Sequence, residues 1–202
     1  MNDNKKIAIF GGSFNPPLCS HFLLAQQVIN ELGIDKIIFV PVNSKYQKPG
    51  LIENEHRYNM LKLVCDNNDY FEVSDIELKQ SRQLYTIETL ELLQKQNTDS
   101  KLYFIIGTDN LKELTTWNNS EILINKFNPI VLERGNDDVE NIINNDKFLL
   151  RNKDCFIKLN QSIRTNCSAT FAREKIKNGK SIRYLTPDEV YYYIVQNKLY
   201  QN

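Results

Sequence analysis

The chain has 202 residues, and its 25 Lys+Arg offset 25 Asp+Glu, so neither a nucleic acid nor an acidic membrane surface is an evident partner. Its 41% hydrophobic content is ordinary for a soluble globular protein with a sizeable core, and no apolar run approaches the ~20 residues needed to span a bilayer. The opening MNDNKK lacks the apolar core of a signal peptide, and Cys19, Cys65, Cys155 and Cys167 have no C-x-x-C spacing beside only two histidines; the expectation is a cytoplasmic protein with reduced thiols and no bound metal cluster.

Ile7 to Phe10 read as a buried strand, Gly11 to Cys19 as a glycine-punctuated loop, and the stretch from Ser20 as a helix with Phe22, Leu23, Ala25, Val28, Ile29 and Leu32 at helical spacing. Adjacent glycines after a strand let backbone approach a phosphate, and the helix start that follows is an anion site with His21 in its first turn. Lys36 to Val42 is a second buried strand, so the first 42 residues make a βαβ unit, with Lys45, Tyr46 and Lys48 in the loop beyond it. Ligands of open α/β sheets gather at such strand ends.

A helix over Glu53 to Asn67 and a short strand over Tyr70 to Val73 follow. Thr86 is placed to cap a helix reaching Gln96. Leu102 to Ile106 is a strand ending in Gly107-Thr108-Asp109, and two short helices near Asn110 and Ser120 flank a turn holding Trp117. Pro129 to Glu133 is a further strand, Asp137 to Leu150 an exposed helix or flexible segment, and Cys155 to Leu159 a last strand. Ser168 to Asn178 is an amphipathic helix with Phe171, Ala172 and Ile176 inward, and Thr186 to Glu189 is a capping box for a closing helix. The expected fold is a Rossmann-like, doubly wound parallel α/β sheet in one domain, 1–202, with its core over about 5–160 and a small C-terminal helical extension over about 161–202.

The loop GGSFNPPLCSH resembles the entry loop of the nucleotidylyltransferase superfamily, G-G-[ST]-F-[DN]-P-x-H-x-G-H, with Leu18 at the first histidine and Ser20 at the glycine. Four further blocks resemble its nicotinate-nucleotide adenylyltransferase branch: Arg57-Tyr-Asn-Met60, Leu84 to Leu90, Phe104 to Asp109 with Trp117, and Ser168 to Arg173 with Tyr184 to Pro187 and Leu199-Tyr200. Together they cover essentially the whole chain in order.

The resemblance implies adenylyl transfer from ATP, with Mg²⁺, to nicotinate mononucleotide in NAD biosynthesis. It implies His21, Lys48 and Arg173 as catalytic residues. Gly11, Gly12, Ser13, Phe14, His21, Gly107, Asp109, Ser168, Thr170 and Arg173 are expected around ATP. Ser13, Phe14, Lys48, Tyr85, Thr86, Trp117 and Arg134 are expected around the mononucleotide. Two rivals stand beside this reading: nicotinamide mononucleotide as the substrate, suggested by the loop at Tyr46 to Lys48, and a weakened nucleotide-binding or regulatory protein, suggested by Leu18. A homo-oligomer stays open.

Overall fold

Strands and helices alternate along the chain. The computed structural model describes residues 4–45, 50–159, 163–164 and 167–201. Its elements are β1 (Lys5–Gly12), α1 (Cys19–Leu32), β2 (Lys36–Pro41), α2 (Asn54–Cys65), β3 (Phe71–Val73), α3 (Thr86–Gln96), β4 (Ser100–Gly107), α4 (Thr108–Glu113), α5 (Ser120–Phe127), β5 (Pro129–Leu132), α6 (Val139–Asn144), α7 (Lys147–Arg151), β6 (Ile157–Lys158), α8 (Ala169–Lys177) and α9 (Asp188–Gln196). The strands form one six-stranded sheet in the order β3-β2-β1-β4-β5-β6, every pair parallel. This is the doubly wound α/β arrangement that the strand and helix pattern predicts. The order reverses between β1 and β4, which opens a crevice beyond their carboxyl ends.

Period-two alternation sorts the strand residues onto two faces. Ile7, Ile9, Ile38, Val40, Leu102, Phe104, Ile106 and Val131 pack under α3, α5, α6 and α7. Ala8, Ile37, Phe39, Tyr103, Ile105 and Ile130 pack under α1 and α2. Near-continuous apolar strands follow from coverage on both sides. A third cluster joins Leu18 and Met60 to Ala172, Ile182, Val190, Ile194 and Leu199, fastening α8 and α9 to the front of the sheet through α2. His56 Nδ1 lies 2.9 Å from the Tyr193 hydroxyl across the α2–α9 contact.

Several local expectations change. Leu24, not Leu23, turns into the core from α1, and Leu23 is exposed. The start of α3 is held by Glu88, whose carboxylate accepts the Tyr85 N–H at 2.8 Å; Thr86 is the first helical residue and not the cap. Asp138 and Asp146 cap α6 and α7, which bury Val139, Ile143 and Leu149, so the polar stretch from Asp137 covers the sheet instead of standing free. Apolar residues this sparse become legible only when both short helices have a sheet face to meet. Phe171 is exposed on α8, leaving Ala172 as the fully buried contact. Thr186 caps nothing: its buried hydroxyl lacks a hydrogen-bond partner among the described residues, and α9 begins after Pro187.

Candidate active site

The crevice is a cleft of about 760 Å³ bordered by the ends of β1, β2, β4 and β5 and by the start of α8. Its floor is the loop after β1. Phe14 takes a left-handed φ of 45° and folds its ring back over Gly12, where an added Cβ would sit 3.1 Å from that ring. A side chain here would crowd the ring and push it aside by a few tenths of an ångström, so the close approach favours glycine. Arg57 of α2, fully buried, holds the loop from behind. Its Nη1 donates to the Ser13 carbonyl at 3.2 Å, Nε to the Ile52 carbonyl at 3.0 Å and Nη2 to Asn54 Oδ1 at 2.6 Å. Burial lowers the Arg57 pKa from its ordinary value, opposed by the charges of Tyr200, Glu53 and Glu77.

His21 stands at the start of α1 with its ring between Phe10 and Phe14, whose centroids lie 6.1 and 5.2 Å away. Its Nδ1 accepts the Leu18 N–H at 2.9 Å, so the proton of the neutral ring belongs on Nε2. Burial, aided by the positive Arg134, lowers its pKa to about 4. At neutral pH His21 is thus an uncharged ring with its one N–H on Nε2. Leu18 borders the same cleft yet is only 2% exposed, because its side chain belongs to the apolar cluster under α8 and α9.

At the end of β4, a Cβ on Gly107 would fall 2.5 Å from Asp109 Oδ1 and 3.0 Å from Arg134 Cδ. Those two side chains pair across the gap, Arg134 Nη1 to Asp109 Oδ2 at 2.8 Å, both about half exposed. On the facing lip, Ser168 caps α8 by accepting the Phe171 N–H at 3.1 Å. Arg173, one turn on, donates Nη2 to Thr170 Oγ1 at 3.2 Å and Nη1 to the Asn15 carbonyl at 2.8 Å. The far end of the cleft is aromatic and polar. Trp117 packs one side on the core, Tyr85 is exposed, and Glu77 accepts from Thr89 Oγ1 at 2.7 Å, its pKa raised by burial.

Residues 9–175 match the family model described as Cytidylyltransferase-like. A protein of Lachnoclostridium phytofermentans named "Probable nicotinate-nucleotide adenylyltransferase" is 35% identical over 97% of this chain and 99% of its own. One of the same name from Clostridium tetani is 35% identical over 98% and 100%. The chain belongs to the nicotinate-nucleotide adenylyltransferase family. Its fold is shared by the nicotinic acid mononucleotide adenylyltransferase of Plasmodium falciparum solved with NaAD, at 23% identity, with a TM-score of 0.75 and 97% of each chain covered. As a member of that family the chain is a nucleotidyltransferase.

The residues expected around the two nucleotides that lie in described segments border this one cleft: Gly11 to Phe14, His21, Tyr85, Thr86, Gly107, Asp109, Trp117, Arg134, Ser168, Thr170 and Arg173; the blocks at Arg57 to Met60, Tyr184 to Pro187 and Leu199-Tyr200 do not. Lys48 and Tyr46 lie outside the described residues. Lys45, just before them, donates Nζ to the Ser81 carbonyl. Asp109 and Arg134, expected around different nucleotides, are ion-paired with each other. Sequence reasoning passed over Asn15 and Asn43, each 3% exposed. Asn43 Nδ2 donates to the carbonyls of Glu77 and Gln80, both at 3.0 Å, which pins the far wall of the cleft. The signal for Asn15 lay in the entry loop itself, where an amide stands before two prolines.

Proposed function

We propose that this nucleotidyltransferase transfers the adenylyl group of ATP to nicotinate mononucleotide. A 5′-phosphate oxygen of the mononucleotide bonds to the α-phosphorus of ATP as the bond to the β-phosphate bridging oxygen breaks, giving nicotinate adenine dinucleotide and pyrophosphate. The observation that carries this reading is the single cleft in which a glycine loop, a neutral His21 and the Arg173 fork face an aromatic end at Trp117. Transfer of this kind needs alignment and donors where charge accumulates, and little covalent help.

The loop after β1 and the start of α1 hold the reacting phosphates, with His21 Nε2–H as a donor. Arg173 offsets the charge of the departing pyrophosphate, the Thr170 hydroxyl donates to it, and the Trp117 ring stacks on the pyridine. Among the described residues no three His, Cys, Asp or Glu side chains converge, a donor set that fits Mg²⁺ arriving on the triphosphate oxygens rather than held by the protein. When bound, the ion offsets phosphate charge; Thr170 and Arg173 are the residues placed to hold the triphosphate that carries it.

The test is pyrophosphate release with ATP and each mononucleotide in turn. Turnover with nicotinate mononucleotide exceeding that with nicotinamide mononucleotide is expected. The reverse ranking would transfer the assignment to the amide substrate. A second reading, weakened catalysis in a nucleotide-binding protein, is favoured by the apolar setting of Leu18, and it prevails if ATP binds while neither mononucleotide reacts.

A further inference from the structure

We propose that Tyr200, at the end of the chain and outside the reacting groups, is a positioning residue of the phosphate site, acting through Asn15 on Arg173. The proposal rests on the reading of this cleft as an ATP site. The Tyr200 hydroxyl donates to Asn15 Oδ1 at 2.9 Å, across 185 residues of sequence. The same oxygen accepts the Ile52 N–H at 3.4 Å, and Asn15 Nδ2 donates to the Gly50 carbonyl at 2.7 Å. The Asn15 carbonyl in turn receives Arg173 Nη1 at 2.8 Å. One buried amide residue therefore ties the phosphate loop to the 50–52 turn, to the cation of α8 and to the C-terminus.

The conformation of the terminus supports the assignment. Lys198 and Tyr200 hold φ of 51° and 63°, values that non-glycine residues rarely adopt. Such backbone persists where its surroundings over-determine it. Here the surroundings are the burial of Leu199 in the α8–α9 cluster and the Tyr200 to Asn15 bond. Without the hydroxyl, Asn15 Oδ1 keeps only the longer Ile52 contact, and the loop residue that orients the Arg173 fork is less well fixed.

Tyr200→Phe removes the hydroxyl and keeps the ring. Calorimetric titration with ATP alone is expected to show roughly five- to tenfold weaker binding, the equivalent of one lost hydrogen bond. In steady state, KM for ATP rises while KM for the mononucleotide stays. Leu199→Val, which loosens the same packing but keeps the hydroxyl, is expected to lower Tm and leave ATP affinity unchanged. With Arg173→Lys, which retains the charge but loses the fork, Tyr200→Phe is expected to change ATP affinity less than twofold, because the two share one path. Unchanged ATP binding in Tyr200→Phe, an equal affinity loss in Leu199→Val, or additive losses in the double variant would each overturn the proposal. ATP binding is read without the second substrate, so failure of the mononucleotide assignment is seen separately, as binding without turnover.

Discussion

The backbone N–H of Leu18 points at Nδ1 of His21, 2.9 Å away, in the first turn of α1. One contact fixes the tautomer of the histidine, and it comes from the backbone of the residue three positions before it. The bond uses only the Leu18 backbone, so the leucine side chain is left to face the apolar cluster under α9.

His21 is expected to act as a neutral donor. His21→Asn places an oxygen within reach of the Leu18 N–H while removing Nε2–H. Turnover should fall on the order of 10²- to 10³-fold, the cost of losing one well-aimed donor. Because folding lowers its pKa from about 6.5 to about 4, the unfolded chain binds the extra proton first. Stability from this group is therefore complete above pH 6.5, declines as pH falls towards 4, and amounts to at most about 3 kcal/mol. Urea unfolding at pH 7 and pH 5 should show this slope in the wild type and a flatter one in His21→Asn.

Leu18→His tests whether a second imidazole at this position would serve the transfer. An imidazole here borders the cleft but also enters a cluster with Met60, Ala172 and Val190, so a loss of about 1–3 kcal/mol in stability is expected. Turnover is expected to rise without much change in mononucleotide KM. Stability loss with unchanged turnover would show that position 18 does not reach the charge formed during transfer.

Gly107→Ala separates stability from binding. The new Cβ must displace the Asp109 carboxylate or the Arg134 stem, and the exposed pair they form is worth less than about 1 kcal/mol. Thermal stability should barely move, while KM for ATP rises several-fold because the paired side chains leave the lip of the cleft. A normal KM for ATP would remove Asp109 from the ATP site.

Arg57→Met should cost about 2–4 kcal/mol in denaturant unfolding. The Ser13 and Ile52 carbonyls and Asn54 Oδ1 all lose a donor at once in a buried setting. Arg57→Lys is expected to recover less than half of this, since an ammonium cannot reproduce the fork. Full recovery with lysine would mean that charge alone, and not the geometry behind Ser13, is what the loop requires.

Strong local patterns are legible in the sequence alone. The apolar strand Ile7 to Phe10, the glycine pair and the amphipathic helix behind it predict a βαβ unit and a phosphate loop, and the strands form where their patterns place them. Weak patterns are not. Val139, Ile143 and Leu149 are too sparse to mark α6 and α7 as covering helices, and Thr86 looked like a cap because the reach of Glu88 back to Tyr85 leaves no strong local mark.

The fold class, the family and a set of residues that meet at one cleft are legible in the sequence, because period, turn chemistry and motif order are local properties of the chain. Tertiary structure alone decided what those residues do to one another. The low pKa of His21 arises from burial and from Arg134, over a hundred positions away; Asp109 pairs with that same arginine; and Arg57 and Tyr200 reach the loop after β1 from remote segments. Desolvation and hydrogen bonding depend on which distant segments share a space, and that is set only when the sheet closes and α9 folds back over α2.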